Sequence, residues 1–376
     1  MSRSVNNILV IRLLINMAKA IFTQNIRVTA LGLENQTSIL EQENLEGNLK
    51  ITPKSFRDPK TILDNIQDTI VLSKMIREEN PDVIHVNALQ DLLSVFVANH
   101  FFVRLKNRPV IVAMSHNPSI WKIPWRAWAA AKFIQLFADG FVCLATTHKD
   151  QLLHLGVSES KIAVIPNPYD IDQAKSKSSL NAEKPLIETV QRFVYIANIC
   201  ERKAQDILIR AASLVIKKHP GAKFYLIGKV IPGEEPFAEK VYALAKELGV
   251  EGSVHFIGGV PYREVTARLE QSDVFVFPTR SEMMPRSVIE AMLAGKPVVA
   301  SSVDGILDLI QNRKTGILVQ PGNIEELACA ICELIENPSL ANELGLAGQS
   351  YVLEFCSPQR VGGLFRDFYQ KIVGAK

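Results

Sequence analysis

Short apolar runs alternate with stretches of helical periodicity along most of the chain. Runs at 26–31, 83–86, 109–114 and 140–144 read as strands. Between them, 62–79, 92–104 and 127–137 carry apolar residues at the spacing of helices with one buried face. A small, polar and basic stretch within 174–190, Ala174-Lys175-Ser176-Lys177-Ser178-Ser179, breaks the alternation and reads as a linker. A second series follows, with strands predicted at 192–196, 223–227, 253–257, 274–277, 297–300 and 316–319 and helices between them. Such alternation predicts βαβ units and mostly parallel sheets, here as two similar α/β halves.

The opening of the chain admits two readings. Residues 7–13 form a strand and 14–24 a helix, or Ile8, Ile11, Leu14, Ile15, Ala18 and Ile21 lie on one continuous helix and the first strand is missing. No glycine precedes Gly32, so the Gly-rich turn that usually opens a nucleotide-binding half is absent. Arg12 splits the early apolar run, which therefore reads as part of the fold and not as a signal peptide. Nowhere does the chain reach the roughly 18 uninterrupted apolar residues of a membrane span. Near the other end, 357–373 is amphipathic, with Val361, Leu364, Phe365, Phe368, Tyr369 and Ile372 on one face.

At 376 residues the chain is long enough for two domains, or three small ones, at roughly 150 residues each. It is 47% hydrophobic, enough for a sizeable core, which excludes a disordered protein. The 42 basic and 39 acidic residues leave a net charge of +3, too balanced for a dedicated nucleic-acid binder. Five cysteines are too few for a disulfide scaffold and point to a reducing, cytoplasmic setting. Cys329 and Cys332 form a C-x-x-C inside a helical pattern with no second pair or nearby histidine, so they read as buried helix-face thiols and not as a zinc site. Asp170-Ile171-Asp172 follows a proline-rich turn and reads as a helix cap. No metal site is expected.

The densest candidate chemistry lies at 278–305. A strand ends in a loop carrying Glu282, and a helix beginning near Arg286 or Ser287 carries Glu290, eight positions after Glu282. A helix N-terminus at the C-terminal edge of a strand suits an anion, and a carboxylate on that helix can accept both hydroxyls of a ribose. This run resembles the E-x7-E motif of the retaining glycosyltransferases of family four, the group 1 type, and the resemblance extends over nearly the whole chain. It implies a GT-B architecture: two Rossmann-like domains with parallel sheets facing a central cleft. Residues 1–178 would bind the acceptor, 179–359 the nucleotide-sugar, and 360–376 would cross back to the first domain.

The resemblance also distributes roles. Glu290 would hold the ribose and Glu282 would sit beside the donor sugar, with Met284, Arg286, Ser287 and Val288 lending peptide N–H groups to sugar and phosphate oxygens. Pro285, which has no N–H, stands in a loop where the family usually has glycines. Lys203 matches the family lysine that clamps the diphosphate. Asn198 stands where an arginine is usual and Ala204 where a glycine is usual, with Arg202 the candidate to replace the lost charge. Gly259 and Val260 would approach the base. His116 resembles the family histidine near the transferred sugar, His85 would support the site, and Asn87, Asn117 and Asn167 would lie on the acceptor side.

Trp121, Trp125 and Trp128 lie among lysines and arginines. That mixture suits an anionic membrane surface, or a helix completing a core or partner contact. The activity expected is transfer of a sugar from a nucleoside diphosphate sugar to a saccharide or lipid-linked acceptor, with retention and without a cofactor or metal. It would take place in the cytoplasm or at the inner face of the plasma membrane, in the synthesis of a cell-surface polysaccharide or glycolipid. UDP-sugars are the default by family frequency. A catalytically idle scaffold of the same fold is the principal alternative, and a sugar-nucleotide epimerase another.

Overall fold

Residues 7–11, 27–32, 49–53, 62–87, 89–103, 108–114, 124–169 and 187–375 are described by the structure, a computed structural model. The chain forms two compact units, 1–170 together with 356–376, and 171–355.

The first unit holds a seven-stranded sheet in the order β3-β2-β1-β4-β5-β6-β7. Its strands are β1 (Asn7–Ile11), β2 (Arg27–Gly32), β3 (Leu49–Pro53), β4 (Val83–Val86), β5 (Val110–Met114), β6 (Gly140–Cys143) and β7 (Ile162–Val164). Every pairing in it is parallel. The opening apolar run is therefore a strand. β1 sits between β2 and β4, with Ile8 opposite Val28 and Leu9 opposite Ile84. Strands β4, β5 and β6 are buried along their whole length, which explains their apolar sequence, interrupted only by His85 on β4.

Around this sheet run α1 (Ile62–Glu79), α2 (Leu92–Val97), α3 (Pro124–Phe137) and α4 (Thr146–His154). The helix expected over 92–104 changes character after Val97, where Ala98–Phe102 is a wider π turn. The buried Asn99 accounts for a fixed contact there, since its amide donates to the Pro109 carbonyl at 3.2 Å.

The second unit repeats the architecture with six strands in the order β10-β9-β8-β11-β12-β13. They are β8 (Arg192–Ile196), β9 (Lys223–Ile227), β10 (Val254–Gly258), β11 (Val274–Phe277), β12 (Val298–Ser301) and β13 (Ile317–Val319). The helices are α5 (Gln205–Lys218), α6 (Glu235–Glu247), α7 (Tyr262–Glu270), α8 (Arg286–Leu293), the single turn α9 (Ile306–Leu309), α10 (Ile324–Glu336) and α11 (Pro338–Phe355). Strand order reverses between β8 and β11. The loops leaving the C-terminal ends of these two strands therefore run side by side, where open α/β sheets bind ligands. On α10, Cys332 is buried but Cys329 is exposed, so only one of the two thiols takes the buried place expected of both.

The last described helix, α12 (Pro358–Gly374), belongs to the first unit. Ser357 caps it by accepting from the Arg360 N–H at 3.2 Å, and Pro358 follows at the position where a missing N–H costs nothing. Val361, Phe365, Phe368, Tyr369 and Ile372 are buried on one face, as the amphipathic pattern requires. Fully burying a side chain of this kind contributes about 1.5–3 kcal/mol. The hydroxyl of Tyr369 lies 2.8 Å from Nδ1 of His85 on β4.

Candidate functional site

Two loops of the second unit are fastened together at the switch point. One leaves β8 and passes Asn198 to a tight turn at 201–203; the other leaves β11 and carries Glu282 into α8. The Arg280 N–H and the Thr279 hydroxyl both donate to the Arg202 carbonyl, at 2.9 and 3.0 Å. The Arg280 guanidinium reaches back to the Glu201 carbonyl and to the Asp206 carboxylate at 2.7 Å. Beneath the turn, the Tyr195 hydroxyl donates to the Lys203 carbonyl at 2.7 Å, and the Tyr195 ring stacks on Phe277 at 5.6 Å. Complete burial raises the Tyr195 phenol well above its usual range, so it stays a donor. Ala204 leaves the turn in the left-handed region, φ +56°, which glycine adopts most readily.

Glu282 is the centre of this arrangement. Its Oε1 accepts from the Arg202 guanidinium at 2.6 Å and from the Lys203 ammonium. The trio carries one net positive charge. The Lys203 ammonium also lies 4.8 Å from the centre of the Phe277 ring. Burial pushes the Lys203 pKa down, and the neighbouring Glu282 only partly opposes it. The backbone of Glu282 is pinned in turn by Asp304, whose Oδ2 accepts from the Glu282 N–H and the Ser281 hydroxyl, both at 3.0 Å.

Helix α8 begins immediately after this loop. Its N-cap residue is Pro285, which supplies no side-chain cap. The first-turn N–H groups of Arg286, Ser287 and Val288 have no acceptor a turn earlier and face out of the helix end. Val288 is fully buried and Met284 nearly so, leaving backbone as the part of Val288 that can meet a ligand, while Arg286 is exposed and Ser287 half-buried. One turn on, Glu290 accepts from the Tyr262 hydroxyl at 2.9 Å. The neighbouring strand ends are close-packed. The Gly228 N–H donates to the Gly258 carbonyl at 2.9 Å, and a Cβ at Gly228 would overlap the Ala197 carbonyl. Gly259 is exposed and Val260 half-buried, with the Lys229 side chain across Gly259.

The expected donor-side residues thus fall into two groups. Arg202, Lys203 and Glu282 are in direct contact, and Met284, Arg286, Ser287, Val288 and Glu290 follow on α8 and its lead-in. Asn198 is exposed and is held through its backbone carbonyl, which accepts from Gln205 at 3.0 Å. In the first unit, His85 is wholly buried between β4 and α12, where it contacts the rings of Phe365 and Tyr369 edge-on. Asn87 is buried just past the end of β4, and Asn167 is half-buried beyond β7, three strands away. His116, Asn117, Trp121 and the pair Asp170 and Asp172 lie outside the described residues. On α3 the core face is Ala127, Ala131 and Ile134, whereas Trp125 and Trp128 are 67% and 55% exposed. These two tryptophans therefore do not complete the core of the first unit.

Four residues of the site carry no role in the sequence reading: Tyr195, Tyr262, Arg280 and Asp304. Arg280 stands two positions before Glu282, and Asp304 lies in the loop after β12, so both fall inside the conspicuous 278–305 run. The partners of Arg280, Glu201 and Asp206, are distant in sequence, and those of Asp304, Ser281 and Glu282, lie across α8 and β12 in the same run; no spacing rule joins either set. Among the described residues no three histidine, cysteine or carboxylate side chains gather to hold a metal ion. No described helix is long and apolar enough to cross a membrane.

Comparison with known proteins gives a consistent picture. The family of glycosyl transferases group 1 matches residues 176–351, and glycosyltransferase family 4 matches residues 10–173. A GDP-mannose-dependent alpha-(1-6)-phosphatidylinositol monomannoside mannosyltransferase of Mycobacterium tuberculosis is 32% identical over 194 residues, 50% of this chain and 47% of that protein. A D-inositol 3-phosphate glycosyltransferase of Segniliparus rotundus is 26% identical over 216 residues, 57% of this chain and 48% of that one. The chain spans about half the length of these curated relatives. Among solved structures, Anabaena HepE in complex with UDP and glucose superposes with a TM-score of 0.74 at 18% identity, covering 96% of this chain and 98% of the other. The sucrose-phosphate synthase of Thermosynechococcus elongatus does so with 0.76 at 16% identity, covering 99% and 100%. At these identities the likeness is one of fold.

Proposed function

Because the chain belongs to the glycosyltransferases of family four, the group 1 type with the GT-B fold, we propose that it transfers a sugar from a nucleoside diphosphate sugar to an acceptor hydroxyl with retention at the anomeric carbon. The observation that carries this reading is the meeting of Arg202, Lys203 and Glu282 at the switch point, with Glu290 one helix turn further on. A diphosphate would draw the two cations from Glu282 and cap the open first turn of α8. Glu282, released from them, would turn to the sugar. Glu290 would take the ribose.

As the bond from anomeric carbon to phosphate oxygen breaks, negative charge grows on the departing diphosphate. Lys203 and Arg202, once drawn onto the diphosphate, and the α8 amides would receive it. The acceptor hydroxyl attacks the same face and gives its proton to the leaving phosphate oxygen, so no protein nucleophile is required. His116 and Glu282 would orient the sugar, and no metal or cofactor enters the scheme. The mycobacterial relative's name carries GDP-mannose, while UDP is the commoner choice of the family.

Calorimetric titration with UDP, GDP, ADP and their sugars is the test. One nucleotide should bind, and Lys203→Ala and Glu290→Ala should each weaken it by about tenfold or more, as expected for losing a charged hydrogen-bonding partner. A folded protein that binds none of them would favour the second reading, an idle scaffold. Two observations support that alternative: Asn198 is exposed in place of an arginine, and Pro285 has no N–H to offer.

The acceptor side of the proposal is a saccharide or lipid-linked hydroxyl, used at the cytoplasmic face of a membrane to build a surface polysaccharide or glycolipid. The exposed Trp125 and Trp128, with the Arg126 guanidinium 5.4 Å from the Trp125 ring, would dock on anionic lipid. Vesicles containing anionic lipid should carry the protein upward in a flotation gradient, and Trp125→Ala with Trp128→Ala should abolish this. Equal flotation of wild type and double variant would remove the membrane contact.

A further inference from the structure

Glu290 does not stand alone on α8. Tyr262, the first residue of α7, reaches it from the far side of the sheet's switch point. α7 follows β10, the edge strand, and α8 follows β11, with β9 and β8 between them in the sheet. The Tyr262 hydroxyl nevertheless donates to Glu290 Oε1 at 2.9 Å. Tyr262 is 51% exposed, and the Arg286 guanidinium lies 5.8 Å from the centre of its ring. Arg286 and Glu290 are four residues apart on one helix face, so tyrosine, arginine and glutamate form one cluster. The segment that delivers Tyr262 is itself fixed. Pro261 is the N-cap of α7, its carbonyl accepts from the Glu264 N–H at 2.9 Å, and Gly258 is bonded to Gly228.

We propose that Tyr262 is a positioning residue for ribose recognition: its hydroxyl restrains the plane of the Glu290 carboxylate so that the carboxylate faces the two ribose hydroxyls. This rests on the reading of Glu290 as the ribose-holding group. A glutamate side chain has three free torsions, and a diol needs both carboxylate oxygens in one orientation. The phenolic hydrogen bond to Oε1 restrains that orientation before the nucleotide arrives. It also ties the base-side segment 258–262 to the ribose-side helix, so the two halves of a nucleoside would be gripped in one register.

The test compares wild type with Tyr262→Phe, which keeps the ring and its contact with Arg286 and removes only the hydroxyl. Both proteins are titrated calorimetrically with UDP, GDP and ADP, with the 2′,3′-dideoxy form of whichever binds, and with inorganic pyrophosphate. Tyr262→Phe should weaken the ribonucleotide by about threefold to tenfold, the range expected when one flexible side chain must be ordered on binding. Its affinity for the dideoxynucleotide and for pyrophosphate should equal that of wild type, with an unchanged melting temperature. Unchanged ribonucleotide affinity overturns the inference. So does a loss of the same factor on all three probes, which would make Tyr262 a general structural support. A wild type that binds no nucleoside diphosphate overturns the nucleotide-sugar reading itself, and this inference with it. A wild type that prefers ribose while Tyr262→Phe keeps that preference overturns this inference alone.

Discussion

At the candidate site the surroundings alter the chemistry of Lys203. Burial costs its ammonium more than Glu282 returns, so it gives up its proton below the usual lysine range. The proposed phosphate clamp needs the charged form. Nucleoside diphosphate affinity should therefore be full below that lowered pKa and should fall as pH rises through it, earlier than an ordinary lysine near pH ~10.4 would allow. Lys203→Arg keeps its charge throughout and should abolish the early decline in calorimetric titrations. An identical decline in both proteins would show that another group is responsible. At this scale the sequence was informative about which residues gather and silent about how they share duties. Arg202 and Lys203 read as phosphate ligands and Glu282 as a sugar ligand, whereas the three are in direct contact. That contact links positions about eighty residues apart, and no local pattern reports it. Ala204 shows the reverse. The glycine usual at that position is explained by the left-handed backbone there, and an alanine letter alone does not disclose its φ.

Among the elements, α12 makes the sharpest statement. Its Tyr369 hydroxyl meets a histidine that has no exposure to solvent. Tyr369→Phe takes that partner from His85 and should lower stability by about 1–3 kcal/mol, the cost of stripping a buried polar group of a hydrogen bond. A urea titration would measure it, and a variant as stable as wild type would show that the contact contributes nothing. Most strands were legible because strands buried on both faces read as near-continuous apolar runs, as 110–114 and 274–277 do. β1 was ambiguous because its apolar positions fit both a strand and a helix face. Pairing with β2 and β4 decides it, and pairing is a non-local fact. β3 and β7 were missed: β7 has only three residues and β3 ends on a proline, so neither offers a period to detect.

The whole molecule repeats one strand order, third-second-first-fourth-fifth-sixth, in each unit, with a seventh strand added in the first. The alternation along the sequence made that repetition readable without any repeated motif. The proposed donor-side cluster lies entirely within 171–355. That segment, produced by itself, should fold and bind the same nucleoside diphosphate as the full chain, with affinity within about tenfold, or 1.4 kcal/mol. Calorimetry on the isolated segment would decide it. A folded segment that binds nothing would show that the ligand needs residues outside the unit.

The division of the first unit into 1–170 and 356–376 also fixes an order of assembly during synthesis. A ribosome finishes all of the second unit before it makes α12. The earlier-made unit must therefore wait, with the surface of β4 and β6 that Phe365, Phe368 and Tyr369 will cover still open to water. The later-made unit can complete its sheet first. A nascent chain of this design is most vulnerable to aggregation in the interval before α12 emerges, and a chaperone that binds open sheet faces would act there.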